Sequence, residues 1–271
     1  MEPILMARVA VMLLGCLAAA YTDARTGLIY DKITYPMIAI AVLLNIFEQN
    51  WVFLAAGMLV FGIGYAIYYA GKIGGGDVKL FSAIAMLLPI YSGELFLLNA
   101  MFASALLAVT FYAVYFLLKY WKQGIQFQEN RGSMKKAALF GVFVAAYFGA
   151  LVQLEMVSVA SATLLAAPLL LAVLFMAFEH GIRKNFFLKQ VKLKELEEDE
   201  VIAVDFLEER VKKGLKLGFK GVFGGREISE LEKMGVKDVP VYRGMPPFAP
   251  FILLGCIAAL VQPNLISILI L

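Results

Sequence analysis

Of the 24 lysines and arginines in this chain, 23 stand in four connections between apolar runs, and those four alternate with connections that carry none. The runs cover approximately residues 3–21, 33–48, 51–70, 77–94, 95–118, 137–154, 157–178 and 249–270. The basic connections are 22–32 (Arg25, Lys32), 71–79 (Lys72, Lys79), 119–136 (Lys119, Lys122, Arg131, Lys135, Lys136) and 179–248, which holds the other 14. The connections around Glu48, Glu94 and Glu155 contain no Lys or Arg, and the remaining basic residue, Arg8, lies inside the first run. About 20 apolar residues are needed to cross a bilayer core of roughly 30 Å, and short loops rich in Lys and Arg stay on the cytoplasmic side. The alternation therefore predicts an all-α polytopic membrane protein with about eight transmembrane helices and both termini non-cytoplasmic. The alternative has two crossings fewer, with 137–178 dipping into the membrane.

Composition excludes the soluble classes, since 62% of the residues are hydrophobic and only 17% charged, with mean hydropathy +0.81. Near the N-terminus, "LLGC" and the "AAA" before Tyr21 imitate processing signals. Cleavage there would place 22–32 outside and invert every later span, so the first run is read as a span. The two cysteines, Cys16 and Cys256, both fall in spans, and the single histidine, His180, cannot make a zinc site by itself. No metal and no cofactor are expected.

Residues 1–178 read as the membrane domain, 179–248 as a cytoplasmic domain and 249–271 as the final transmembrane helix. Within 180–248 there are 14 basic and 12 acidic residues, which describes a solvated surface rather than a nucleic-acid partner. Amphipathic stretches at "LKELEEDE" and "LEERVKKGLK", a strand at "VIAV", and a capping box of Ser229 and Glu232 closed by Gly235 predict a small α/β insert before the last helix. Glycines 57, 64 and 71, spaced by seven, share a helical face that lets a neighbour approach.

The chemistry centres on "KIGGGDVKL", residues 72–80. From Leu80 to Gly93 there are 14 residues, about 21 Å of helix, too short to span, so the fourth run recruits 76–79. Asp77 is thereby placed at the cytoplasmic boundary with Lys79 reaching outward, and an ionisable group at that depth is a functional hypothesis. Gly74, Gly75 and Gly76 form a flexible loop open to unusual dihedrals or to the close approach of another chain, or else a tight turn. It is not a P-loop, because the Gly-Lys-Ser/Thr ending is missing. Peptide hydrolysis by carboxylates needs two, one protonated and one ionised. The partner at the same depth and on the same side comes from 22–32, which offers Asp23, directly after the first span, and Asp31, near the start of the second.

These residues resemble the type IV prepilin peptidases. "GGGDVKL" fits their GxGD motif, and "YTDARTGLIYDKIT" is similar to the Asp-containing stretch after their first span, in an arrangement similar to the archaeal branch, the preflagellin and prepilin peptidases. The likeness covers residues 1–120 most clearly, and "MPPFAPFILLG" also looks like the family's entry into its last span. The resemblance implies a GxGD aspartic endopeptidase that removes the leader of prepilin- or preflagellin-like proteins at the cytoplasmic membrane face. It puts Asp23 and Asp77 in the catalytic places and the glycines in the loop, with Lys79 and Asp31 as supporting candidates. Tyr30 and Asp31 depart from the Pro and Asn often found there, and 179–248 is long. Bacterial members often add a CxxC-bearing domain and a methyltransferase activity. This chain has no such motifs, so a peptidase without N-methylation is expected. Three other readings stand beside this one: a presenilin- or signal-peptide-peptidase-like protease, to which "IYD" at 29–31 gives superficial support, a small cation-coupled transporter, and an inactive scaffold.

Overall fold

In the computed structural model, residues 3–196, 200–214 and 224–270 are described. The membrane part comprises α1 (Pro3–Thr26), α2 (Asp31–Phe47), α3 (Trp51–Tyr69), α4 (Gly75–Leu87), α5 (Phe96–Gln123), α6 (Phe127–Gln153) and α7 (Val159–Ala177). After α8 (Glu179–Phe186) come strand β1 (Leu188–Lys192), the short helices α9 (Glu209–Gly214) and α10 (Gly225–Lys233), and strand β2 (Asp238–Tyr242). The chain ends with α11 (Ala249–Val261) and α12 (Leu265–Ile270). This is an all-α polytopic membrane protein carrying one small two-stranded sheet.

Every expected apolar run contains helix, but among the described residues only α1, α3, α5, α6 and α7 are individually long and apolar enough to cross a bilayer. The reasons differ for the other three. The second run forms a helix of only 17 residues, with Pro36 inside it. The fourth stops at Leu87 after 13 residues, and 88–95 turn back through a bridge between Tyr91 and Glu94. The eighth breaks at 262–264.

Helix α4 survives at that length because protein rather than lipid surrounds it. Val78 and the whole run Leu80–Leu87 are buried, and the apolar residues from Leu80 to Leu87 share one cluster with Met12, Cys16 and Ala19 of α1, Met37 and Ala41 of α2, Ala100 of α5 and Ile252 and Cys256 of α11. Its premature end leaves carbonyls that neither water nor a next turn can satisfy. Arg8 supplies donors: its guanidinium bonds the carbonyl oxygens of Leu87 (2.9 Å) and Met86 (3.3 Å), Asn45 Oδ1 (2.7 Å) and the Glu48 carboxylate. Asn45 Nδ2 adds a second bond to Met86 O at 2.8 Å. The break in the last run is closed likewise, with Asn99 donating to Pro263 O and accepting from Ile266 N–H.

The glycine face of α3 lies against α4: a Cβ on Gly57 would fall 2.1 Å from Met86 Cγ and one on Gly64 2.7 Å from Val78 Cγ1. Gly71 is instead a turn residue with φ +68°. On α11, a Cβ at Gly255 would meet Ser104 Oγ at 2.1 Å and Ala100 O at 2.5 Å, which is why α11 can sit directly on α5.

The 179–248 segment has its own apolar cluster, including Val191, Ile202, Leu207, Val211, Leu231, Val239 and Val241. Strands β1 and β2 pair antiparallel from Leu188 opposite Tyr242 to Lys192 opposite Asp238. The expected strand at 201–204 reduces to a bridge between Ile202 and Val241, because a 3₁₀ turn begins at Val204. Gly235 ends α10 with φ +72°, but the helix begins at Gly225, so Ser229 lies inside it and returns its hydroxyl to Gly225 O rather than capping. "LKELEEDE" and "LEERVKKGLK" lie partly outside the described residues.

Candidate active site

Asp23 lies on the last turns of α1, which runs past residue 21 to Thr26 and ends where Gly27 turns to φ +71° and donates to Asp23 O at 2.8 Å. The side chain is 7% exposed. Burying a carboxylate near a helix C-terminus is unfavourable unless a donor reaches it. One does: the backbone N–H of Ala249, at the start of α11, bonds Asp23 Oδ2 at 2.8 Å.

Asp77 is the third residue of α4, whose N-cap is Gly74. Its carboxyl group folds back on the loop and lies beside the Gly74 backbone, in the place the acidic member of a capping box takes. A Cβ on Gly74 would lie 2.8 Å from Asp77 Oδ2. The other oxygen, Oδ1, is enclosed and without a hydrogen-bond partner. The Asp23 carboxylate is within electrostatic reach of Asp77. A second contact ties their surroundings together: Phe81, one turn beyond Asp77, packs against Phe248, whose neighbour Ala249 holds Asp23, with ring centroids 6.2 Å apart.

The glycines work differently from expectation. Gly74 adopts φ −73°, ψ 143°, open to any residue, and the left-handed conformation falls at Gly71. Gly76 is needed for close approach within the chain, since a Cβ there would sit 2.7 Å from Ile29 Cβ and 3.2 Å from Ile29 O. That contact seats the segment linking α1 to α2 on the start of α4 and so brings the two aspartates together. Gly75 faces the Tyr68 ring, 3.4 Å from an added Cβ.

Asp31 and Lys79 are drawn to each other rather than to the aspartate pair. They form a salt bridge of 2.5 Å with side chains 50% and 26% exposed, and the Lys79 ammonium also lies over the Tyr35 ring.

Two groups complete the arrangement without any sign in the hydropathy. Tyr112 of α5 donates its hydroxyl to Pro247 O at 2.6 Å and lies within electrostatic reach of Asp23. The Ala249 N–H is a backbone group 226 positions from its acceptor. The one sequence signal for this region was "MPPFAPF", whose prolines mark a helix start.

Residues 10–109 match the type IV leader peptidase family. The family segment contains Asp23, the glycines and Asp77, and takes in α2, α3 and α4 whole with the larger part of α1 and about half of α5. Tyr112 and α11 lie beyond it. The chain is also similar to the prepilin peptidase EppA of Methanothermobacter thermautotrophicus, 36% identical over 87 residues, or 29% of this chain. That similarity spans 23% of the relative's length, so the chain covers under a quarter of it. No solved structure matches.

Proposed function

We propose that the chain is a membrane aspartic endopeptidase of the GxGD type that removes the leader of prepilin- or preflagellin-like proteins, with Asp23 and Asp77 as the catalytic pair. The observation that carries this reading is the convergence of two carboxyl groups from separate helices, both largely shielded from water, inside the segment matching the leader peptidase family. The similar archaeal protein is a prepilin peptidase, which agrees with the substrate class.

Two carboxyl groups in one site share a proton, because like charges so close do not both persist. The ionised member takes a proton from water as the water oxygen bonds to the scissile carbonyl carbon. The neutral member gives its proton to the carbonyl oxygen, which makes a tetrahedral diol. Collapse of the diol breaks the C–N bond, with the first carboxyl group protonating the leaving nitrogen and the second recovering its proton from the diol hydroxyl. The pair faces the side that collects 23 of the 24 basic residues, which makes that face cytoplasmic and both termini non-cytoplasmic. On this reading 1–178 is the catalytic membrane domain, 179–248 a cytoplasmic domain near the substrate and 249–271 the closing span.

The test is co-expression of a prepilin-like substrate with wild type, Asp23→Asn or Asp77→Asn, following substrate size in isolated membranes. Leader loss with wild type and retention with each variant is expected. Equal cleavage by wild type and Asp77→Asn removes Asp77 from the chemistry, and proton-coupled flux without cleavage moves the chain to the transporters.

A further inference from the structure

The start of α11 is unusual in how few donors it leaves. A helix begins with N–H groups that have no partner within it. Here Pro250 has no N–H, and Phe251 and Ile252 donate back to Phe248 O at 2.9 and 3.2 Å. Ala249 holds the remaining N–H of that turn, and it is spent on Asp23. The strap carrying it is held from α5: the Tyr112 hydroxyl bonds Pro247 O, while the Tyr112 ring packs on Phe251 with centroids 5.2 Å apart.

The two aspartates are therefore not equivalent. Neither oxygen of Asp23 is both enclosed and unpartnered, whereas Oδ1 of Asp77 is. An acceptor of a helix-terminal N–H is suited to hold charge, and an enclosed oxygen with no donor is suited to hold a proton. The start of α4 and the Gly74 backbone pull the other way, toward charge on Asp77, but they reach its other oxygen. We infer that the Tyr112-pinned strap at 247–249 fixes Asp23 as the water-activating carboxylate and leaves Asp77 to carry the proton that goes to the scissile carbonyl.

This assignment rests on the leader peptidase reading and makes Tyr112 a positioning residue. The titratable groups around Asp23 are Asp77 on α4 and Tyr112 on α5. Helix α2, which packs on α1, carries Asp31, committed to Lys79, and also Lys32 and Tyr35. From α11 comes Cys256, which meets Cys16 two turns away from Asp23.

The test uses the full-length protein in vesicles with a prepilin-like substrate, comparing wild type, Tyr112→Phe and Tyr115→Phe across pH. Phenylalanine keeps the ring packing and deletes the hydroxyl alone. Tyr112→Phe is expected to cut turnover about three- to tenfold near pH 5 and less than about twofold near pH 7.5, with KM little changed and Tyr115→Phe like wild type. Loss by the same factor at every pH, or no loss, overturns the positioning role. Infrared spectra supply a readout independent of cleavage: the protonated-carboxyl stretch present at neutral pH is expected to vanish in Asp77→Asn. Its survival there overturns the assignment even if cleavage stands. A wild type that cleaves nothing sinks the peptidase reading while the infrared result still locates the proton.

Discussion

Replacing Arg8 by methionine would remove the donors that close the far end of α4 while keeping most of the buried stem. Two buried acceptors then lose their bonds to the guanidinium, Leu87 O and Asn45 Oδ1, whereas Met86 O keeps Asn45 Nδ2 at 2.8 Å. An orphaned buried acceptor costs about 1–3 kcal/mol, and in a bilayer the lower part of that range applies because the unfolded chain also finds partners there. A cation is lost from a helix C-terminus as well, worth about 0.3–1 kcal/mol. The expected total is about 2–3 kcal/mol. Glu48 is 30% exposed and can return to water, so Glu48→Gln should cost no more than about 1 kcal/mol. Denaturant titration in mixed micelles, read by fluorescence of Trp51 and Trp121, measures both variants. An Arg8→Met protein within about 0.5 kcal/mol of wild type refutes the capping account. So does a Glu48→Gln protein as damaged as Arg8→Met, which would give the stabilisation to the ion pair instead.

At Gly76, alanine should force Ile29 away from the start of α4, since the added carbon would lie 2.7 Å from Ile29 Cβ. The stability cost is about 1–3 kcal/mol, and a shift of the aspartates by an ångström costs on the order of 100-fold in cleavage, so activity assays should register far more than unfolding does. Lys79→Met deletes a partly exposed pair worth less than about 1 kcal/mol, and cleavage should stay within about threefold of wild type. A larger loss in cleavage assays would return Lys79 and Asp31 to the site.

What could be read from the sequence follows from what charge and hydropathy measure. Basic residues sort by membrane side, so the order of apolar segments and the shared side of Asp23 and Asp77 were legible. Hydropathy does not distinguish a surface facing lipid from one covered by protein, so nothing in the fourth run showed that it is sheathed by other helices, although its 14 residues from Leu80 to Gly93 were already short. The wrap of α1, α2, α3, α5 and α11 around Leu80–Leu87 emerges only in three dimensions. Arg8 was conspicuous as a lone charge in a span, yet two of its four acceptors are backbone carbonyls, which no residue type announces. The same holds at Asp23, whose partner is the N–H of an alanine. Gly76 was singled out for access by another chain, and the neighbour it admits is Ile29 of this one.

The passage from β2 to α11 is a leash. Six residues separate Tyr242 from Ala249, which limits the reach to about 25 Å even when fully drawn out. The line is fastened near both ends. Arg243 is fastened at one end, its N–H to Phe187 O and its side chain to Glu200, and Pro247 is fastened at the other by Tyr112. The slack left is Gly244 to Pro246, three residues of which one is proline and one sits at φ +70°. A displacement of the strand pair carried along so short a line meets the Tyr112 hydroxyl at Pro247, two residues before the amide that holds Asp23. The strand pair and one of the two carboxyl groups thus share a single short tether, and inserting residues at Gly244 would loosen it.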